Sequence, residues 1–331
     1  MEHIRYLTDH YDASIQRIKD LNAPLNFIFI TDQHHQFRHS TTEAVDSMHY
    51  ILKECPNIQC VVSGGDIGND YDPDPDAFRR TMAEMMEALY RLPVPVHCCI
   101  GNHDDRIGNC IDNGWDTRTG IFPGEMHALC MKYNPTPENY YYTDLDTDDG
   151  GYRFIFLNTS DKPFLADENG QHPLSGWRLE ISNKQAEWFE KDALQTDRSI
   201  LLFGHSPLSN AGIYGSEGKP DGIKPYDDLL NGPRIYYHAK RCRNVLAIIA
   251  GHVHFDNVRF EDDLPTITTT SAYRARWSTA CSPRTMGTYL ETAFDVMSIK
   301  DDTLYITRFG SGEDRRVPLI RKLDSIWNRT Y

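Results

Sequence analysis

An α/β fold is predicted for this chain, from three observations. Short apolar runs alternate with helix-spaced segments along the first hundred residues. Those runs are rich in β-branched and aromatic residues, as strands buried on both faces are. The order strand–helix–strand–helix–strand argues for parallel strands joined by right-handed crossovers.

The elements follow in order. Residues 10–22 fit an amphipathic helix with Ile15 and Ile18 on one face. Asn26 to Ile30 reads as a buried strand and ends in Thr31-Asp32-Gln33-His34. Thr41 to Glu54 has helical spacing (Ala44, Val45, Met48, Ile51, Leu52), stopped by Pro56 and Asn57. Ile58 to Ser63 is a second strand, ending in Gly64-Gly65-Asp66. Residues 76–91 are helical, stopped by Pro93. A third strand, Val94 to Ile100, runs into Gly101-Asn102-His103-Asp104. Residues 105–150 are rich in Gly, Pro and aromatics and read as a loop-rich insertion with one short helix around Met126 to Lys132.

Strands resume at Asn139 to Thr143 and Tyr152 to Asn158, and a loop over 160–177 leads to a helix at 183–194. The strand Ser199 to Phe203 ends in Gly204-His205. A loop over 206–225 and a helix over 226–241 precede the strand Val245 to Ala250, which ends in Gly251-His252-Val253-His254. The region 258–309 reads as antiparallel strands (Thr266–Thr270, Tyr289–Ile299, Leu304–Arg308). Three parts are thus expected: a helical extension over 1–24, a domain over 25–310, and a basic tail over 311–331 with Arg315, Arg316, Arg321, Lys322 and Arg329.

Composition narrows the function classes. The chain has 331 residues, 40% apolar and 25% charged, as an ordinary globular enzyme does. Its formal net charge of −14 repels nucleic acid and anionic membrane unless charge is reversed locally. Bound metal is the largest reversal such a sequence can hold. Met1 to Asn22 is interrupted by charges and lacks the apolar core of a signal peptide, and no stretch is long and apolar enough to span a bilayer. A cytoplasmic location is expected. The eight cysteines lack C-x-x-C spacing and read as reduced core thiols.

Five apolar strands therefore end in metal-ligand chemistry: Asp32/His34, Asp66, Asn102/His103, His205 and His252/His254. Singly, each has a plainer reading. Asp66 could be a turn residue, Asp32 a helix N-cap and His205 a loop histidine. Jointly, five such ends after five strands point to one site at one sheet edge.

This ordered set resembles the calcineurin-like metallophosphoesterase superfamily, whose motifs are D-x-H, G-D, G-N-H-D/E, G-H and G-H-x-H. The resemblance runs over roughly residues 25 to 310. It implies a four-layer αββα sandwich of two mixed sheets flanked by helices, and a centre of two divalent metal ions. The first ion would take Asp32, His34, bridging Asp66 and His254. The second would share Asp66 and take Asn102, His205 and His252. The chemistry agrees: imidazole, carboxylate and amide oxygen suit Mn²⁺, Fe²⁺/Fe³⁺ or Zn²⁺, and a carboxylate can bridge two ions about 3.5–4 Å apart. The two histidines of Gly-His-x-His lie two apart and share a face of an extended segment.

The implied reaction is phosphoester hydrolysis by a metal-bound hydroxide. Two divalent ions outweigh two carboxylates and a hydroxide, so the centre attracts a phosphoryl group within an acidic protein. His103, beside ligand Asn102, is the candidate general acid. Asp104 is a second candidate catalytic residue; it, or a residue in the loop after Asp66, could orient His103. In calcineurin-type phosphatases an Asp three residues after the Gly-Asp carboxylate helps orient this histidine, and purple acid phosphatases have a metal-binding Tyr there. Here the position is Asn69, with Asp70 next, so the orienting partner of His103 is open.

A small phosphomonoester or phosphodiester, a nucleotide among them, is the expected partner, and nucleic acid is disfavoured by charge. Asn102, His103, Arg274 and Arg276 are candidate substrate contacts, with Arg284 nearby in sequence. Trp115, Phe122, Tyr214 and Trp277 could stack on a base, although such residues more often pack their own loops. The alternatives are a nuclease, or a non-catalytic metal-binding or interaction module on the same fold. His35, His39, His49, His97, His127, His172 and His238 match no motif position, and Gly310-Ser311-Gly312 is not a phosphate loop because no helix signal follows it.

Overall fold

A computed structural model describes residues 2–36, 41–208, 229–272, 284–285 and 287–320. Among the described residues, twelve strands form two mixed six-stranded sheets. The first has the order β12-β11-β10-β1-β2-β3, with β1 Leu25–Ile30, β2 Cys60–Ser63, β3 Val96–Cys98, β10 Ala293–Lys300, β11 Thr303–Gly310 and β12 Arg315–Pro318. The second has the order β4-β5-β6-β7-β9-β8, with β4 Tyr141–Leu145, β5 Tyr152–Phe156, β6 Ser199–Gly204, β7 Val245–Ala250, β8 Asn257–Glu261 and β9 Leu264–Thr268.

The sheets meet face to face through aromatic rings. Phe27 of β1 contacts Phe154 of β5 and Phe203 of β6, with centroids 5.0 and 5.7 Å apart. All three rings are fully buried, which stabilises by roughly 1.5–3 kcal/mol each. Strand alternation sorts the rest of β6. Leu201 and Phe203 join the core shared by the two sheets, while Ile200 and Leu202 join a second cluster with Phe189, Ile235 and Ala239. That cluster lies under α6 (Asn183–Trp188) and α7 (Gly232–Arg241). On the outer side of the first sheet, α1 (Glu2–Leu21) packs on α2 (Thr42–Glu54) and β11, and α2 packs on α3 (Pro75–Tyr90).

Several expectations are corrected. α1 begins at Glu2, and its Tyr11, Ile15 and Ile18 enter the same core as the sheets, so it is not set apart as an extension. Residues 315–318, expected in a tail, form edge strand β12, whose Val317 is buried opposite Leu304. Residues 321–331 lie outside the described residues. The insertion over 105–150 contains two helices rather than one, α4 (Ile107–Asn113) and α5 (Pro123–Cys130). Pro123 sits in the first turn of α5, where its missing N–H costs nothing, so that helix starts before Met126. β9 was expected to be antiparallel throughout. It pairs antiparallel with β8 but parallel with β7, because the β8–β9 hairpin returns the chain beside β7. The helix expected over 226–241 starts at Gly232, after residues 209–228, which lie outside the described set.

Candidate metal centre

Parallel register brings the strand ends to one edge. Ile30 of β1 pairs with Ser63 of β2, and Ser63 with Cys98 of β3. In the second sheet Gly204 of β6 pairs with Ala250 of β7. The motif residues follow directly and fold into tight turns. Asp32, His34, Asp66, His252 and His254 all have positive φ, between 39° and 68°. Such backbone is sparsely populated for non-glycine residues and persists only where the surroundings enforce it.

Two glycines permit the close approach. A Cβ on Gly101 would lie 2.1 Å from Asp66 Oδ1, and one on Gly251 would lie 2.0 Å from Thr31 Oγ1. The loops are also tied to one another, twice within the first sheet and once across to the second. His34 N donates to Asp66 O at 2.9 Å, His103 N to Asp66 Oδ1 at 2.9 Å, and His252 N to Asp32 Oδ2 at 3.1 Å.

The seven expected ligands form two overlapping groups. Ligand atoms of Asp32, His34, Asp66 and His254 all lie within 4.8 Å of one another, and these residues are buried. His254 Nε2 is 2.9 Å from Asp32 Oδ1. In the second group His205 Nε2 is 3.2 Å from Asp66 Oδ2 and 3.0 Å from Asn102 Oδ1. His252 Nδ1 is 2.9 Å from Asn102 Oδ1 and 3.3 Å from His205 Nε2. Asp66 Oδ2 also lies 3.7 Å from His34 Nε2, so one carboxylate oxygen stands between the groups.

The donor chemistry fits bound cations. His205 Nδ1 lies 2.8 Å from Gly64 O and so carries a proton, which it donates there. In the neutral ring Nε2 then presents a lone pair to a carboxylate oxygen and an amide oxygen. That arrangement is repulsive unless a cation or a second proton sits among them. Burial pulls the His205 pKa down, but Asp66, Asp32 and the Gly64 carbonyl together outweigh it and hold the value up at about 9. Burial would raise the Asp66 pKa; His205 and His103 hold it well below the usual carboxylate range. His34 is pushed down to about 3 by burial, against the pull of Asp66, and a neutral imidazole is the ligand form.

At the rim, His103 Nδ1 donates to Asp70 Oδ2 at 2.8 Å, and Asn109 Nδ2 donates to the same oxygen at 2.6 Å. Asp70 is fully buried. Burial pulls the His103 pKa down, but Asp70 and then Asp66 raise it to about 10. The orienting carboxylate stands one position beyond Asn69, whose own amide bonds to Gln36 O at 3.3 Å. Asp104 is not that partner. Its carboxylate accepts from the backbone N–H groups of Ile67 (2.7 Å), Gly101 (2.7 Å) and Asp66 (3.1 Å). It locks the second and third strand ends together. Burial, then the Asp66 charge, raises its pKa.

Other expected contacts are distributed differently. Arg274, Arg276, Tyr214 and Trp277 lie outside the described residues. Arg284 donates to Ser271 O at 2.5 Å and Thr270 Oγ1 at 3.3 Å, in the loop that follows β9. Trp115 lies under Arg106, with the guanidinium 4.8 Å from the ring, and Phe122 packs on Phe164 and His172. These two aromatics pack their loops. The sequence did not single out Tyr71 and Trp177, whose rings border His103.

A buried network missed in the sequence supports the Gly-His-x-His turn. Asp256, two residues after His254, accepts from Arg308 Nη2 at 2.6 Å and from Thr270 N at 3.0 Å. Arg308 Nε donates to Asp295 Oδ1 of β10 at 2.7 Å, and Arg315 Nη2 donates to Asp295 Oδ2 at 2.7 Å. Strands β10–β12 thus brace the metal loop from the first sheet.

Known proteins share this architecture. A family model described as calcineurin-like phosphoesterase matches residues 25–256. A manganese-dependent ADP-ribose/CDP-alcohol diphosphatase from Danio rerio is 21% identical over 241 residues, 60% of this chain and 67% of that protein. A solved dimetal phosphatase from Danio rerio has the same fold, with a TM-score of 0.59 and 16% identity, covering 90% of this chain and 100% of that one. GAP50, the anchor in the inner membrane complex of Plasmodium, is similar in fold as well, with a TM-score of 0.53 and 15% identity, covering 90% of this chain and 89% of its own. The family match spans well over half of the sequence, and its motif residues are the ones that converge at the sheet edge. The chain belongs to the calcineurin-like phosphoesterase family and is a metal-dependent phosphoester hydrolase.

Proposed function

We propose that this site holds two divalent ions and hydrolyses a small phosphate diester or diphosphate, with His103 as the proton donor to the leaving group. The observation that carries this reading is the position of Asp66 Oδ2 between two imidazole groups, with the Asp70–His103 pair at the rim beside them. Asp32, His34, Asp66 and His254 would hold one ion. Asp66, Asn102, His205 and His252 would hold the other. When bound, the ions supply positive charge for the phosphoryl oxygens and lower the pKa of the attacking water.

The chain's own residues do the rest. Asp70 accepts the Nδ1 proton of His103, which leaves Nε2 to carry the proton that is given up. As water attacks phosphorus, a new P–O bond forms and the bond to the leaving oxygen breaks. His103 Nε2 protonates that oxygen, and a proton of the attacking water passes to solvent. The demand on His103 rises with the basicity of the leaving group.

The substrate class is supported by charge and by likeness. A net charge of −14 disfavours a long polyanion. The Danio rerio relative acts on nucleotide-linked diphosphates, and a nucleoside diphosphate joined to a sugar or alcohol is our first candidate. Manganese is the first candidate ion on the same ground. The test is a panel of phosphomonoesters, phosphodiesters and nucleotide-linked diphosphates, assayed with Mn²⁺, Fe²⁺ or Zn²⁺. Turnover of the diphosphates above the monoesters supports the reading. Turnover of monoesters alone would overturn the substrate assignment.

A further inference from the structure

Two aromatic rings border the proton donor. The His103 ring centroid lies 4.7 Å from that of Trp177 and 5.6 Å from that of Tyr71. The two side chains arrive from different segments. Tyr71 directly follows Asp70, and Trp177 comes from the loop between β5 and α6. Both are partly exposed, whereas Asp70 behind them is buried.

Trp177 is held in place by α4. Its indole lies on the bare Cα of Gly108, where an added Cβ would come 2.4 Å from the ring. Its Nε1 donates to Asp112 Oδ2, one turn further along the helix, at 2.8 Å. Any side chain at position 108 would displace the ring, so the helix supplies both a flat seat and an anchor.

A general acid must stand beside the oxygen it protonates. His103 therefore marks the side on which the leaving group departs, and the rings beside His103 border that group. We infer that Trp177, with Tyr71, forms the leaving-group wall and selects leaving groups that carry a planar ring, such as a nucleoside, over aliphatic ones. This rests on the hydrolase reading above. Ring stacking suits the task because it needs only a π-face and so tolerates different bases.

The test compares two esters that share a primary alkoxide leaving group, one of a nucleoside and one of glycerol, with wild type, Trp177→Ala and Trp177→Phe. We expect Trp177→Ala to lower kcat/KM for the nucleoside ester about tenfold, chiefly through KM, the size of one lost stacking contact. The glycerol ester should change by less than about threefold, and Trp177→Phe should keep most of the preference. Equal loss on both esters would overturn the inference, because Trp177 would then merely position His103; no loss on either would overturn it too. A second readout does not need turnover. A nucleoside 5′-monophosphate should quench tryptophan fluorescence where glycerol 3-phosphate does not, and Trp177→Phe should abolish that difference. A quench undiminished in Trp177→Phe would sink the wall. If the wild type cleaves neither these esters nor a nucleotide-linked diphosphate, the hydrolase reading fails on its own, and the fluorescence comparison still decides the wall.

Discussion

Asp70 accepts the Nδ1 proton of His103 at 2.8 Å, and Asn109 holds the same carboxylate oxygen from behind. This pair fixes both the ring orientation and the tautomer of His103, the proposed proton donor. His103→Ala should lower kcat about a hundredfold or more on alkyl esters, the usual worth of a general acid. Nitrophenyl esters, with good leaving groups, should lose far less. Asp70→Asn should give a milder loss in the same direction. It should also move the alkaline limb of the pH–rate profile to lower pH, because removing the anion disfavours the imidazolium. An alkaline limb that stays in place would count against this pairing.

Asp104 differs from His103 in what it holds. Three backbone N–H groups converge on its buried carboxylate. Asp104→Ala leaves them without that acceptor, at about 1–3 kcal/mol for each buried donor left unmade. Melting temperature and metal affinity should both fall. The dependence of rate on leaving-group basicity should keep its wild-type slope. A changed slope with unchanged stability would restore Asp104 to the chemistry.

Arg308 is a buried cation between Asp256 and Asp295. Burial alone would lower its pKa, but the two carboxylates outweigh that and raise it above its ordinary value. Arg308→Met removes the buried cation and leaves Arg315 alone to face both carboxylates, so the cost should approach roughly 3–5 kcal/mol, the figure for breaking a buried pair. Urea denaturation should show that loss, and metal retention should weaken because Asp256 adjoins the Gly-His-x-His turn. Unaltered stability would remove the brace from this account.

His97 gives the fold an acid-sensitive point away from the metals. It is buried, stacks on Phe156 with centroids 4.9 Å apart, and pairs with the Tyr141 hydroxyl at 2.7 Å. Burial pushes its pKa down to about 4. An unfolded histidine takes its proton near pH 6.5. Between those values the unfolded chain binds more protons, so stability falls as pH drops from about 6.5 to about 4 and levels off below. At roughly 1.4 kcal/mol per pKa unit, the contribution at stake is on the order of a few kcal/mol. In metal-free protein, the stability difference between wild type and His97→Phe should shrink across that window. A pH-independent difference would contradict it.

The metal motifs were legible because each follows a buried apolar strand and uses residue types that few other roles require. Register then placed them, since Ile30, Ser63 and Cys98 are neighbours across β1–β3. Asp70 was visible only as the neighbour of Asn69, because a side chain's partner depends on how the turn is folded. Trp177 carried no signal at all. It lies in a loop, and what seats it is Gly108, far away in sequence. The Arg308 network was hidden for a related reason: its members come from a loop and from three strands whose pairing brings them together. Edge strand β8 escaped notice because its half-buried residues lack the apolar run that marked the central strands.

The proposed metal pair turns on the shared position of Asp66 Oδ2, and counting bound metal tests that sharing. The protein would be loaded with Mn²⁺, desalted, and its metal content measured by elemental analysis in wild type and Asp66→Ala. Two ions per chain are expected in the wild type, and loss of the pair in the variant. One ion in the wild type, or a full pair in Asp66→Ala, would contradict that sharing.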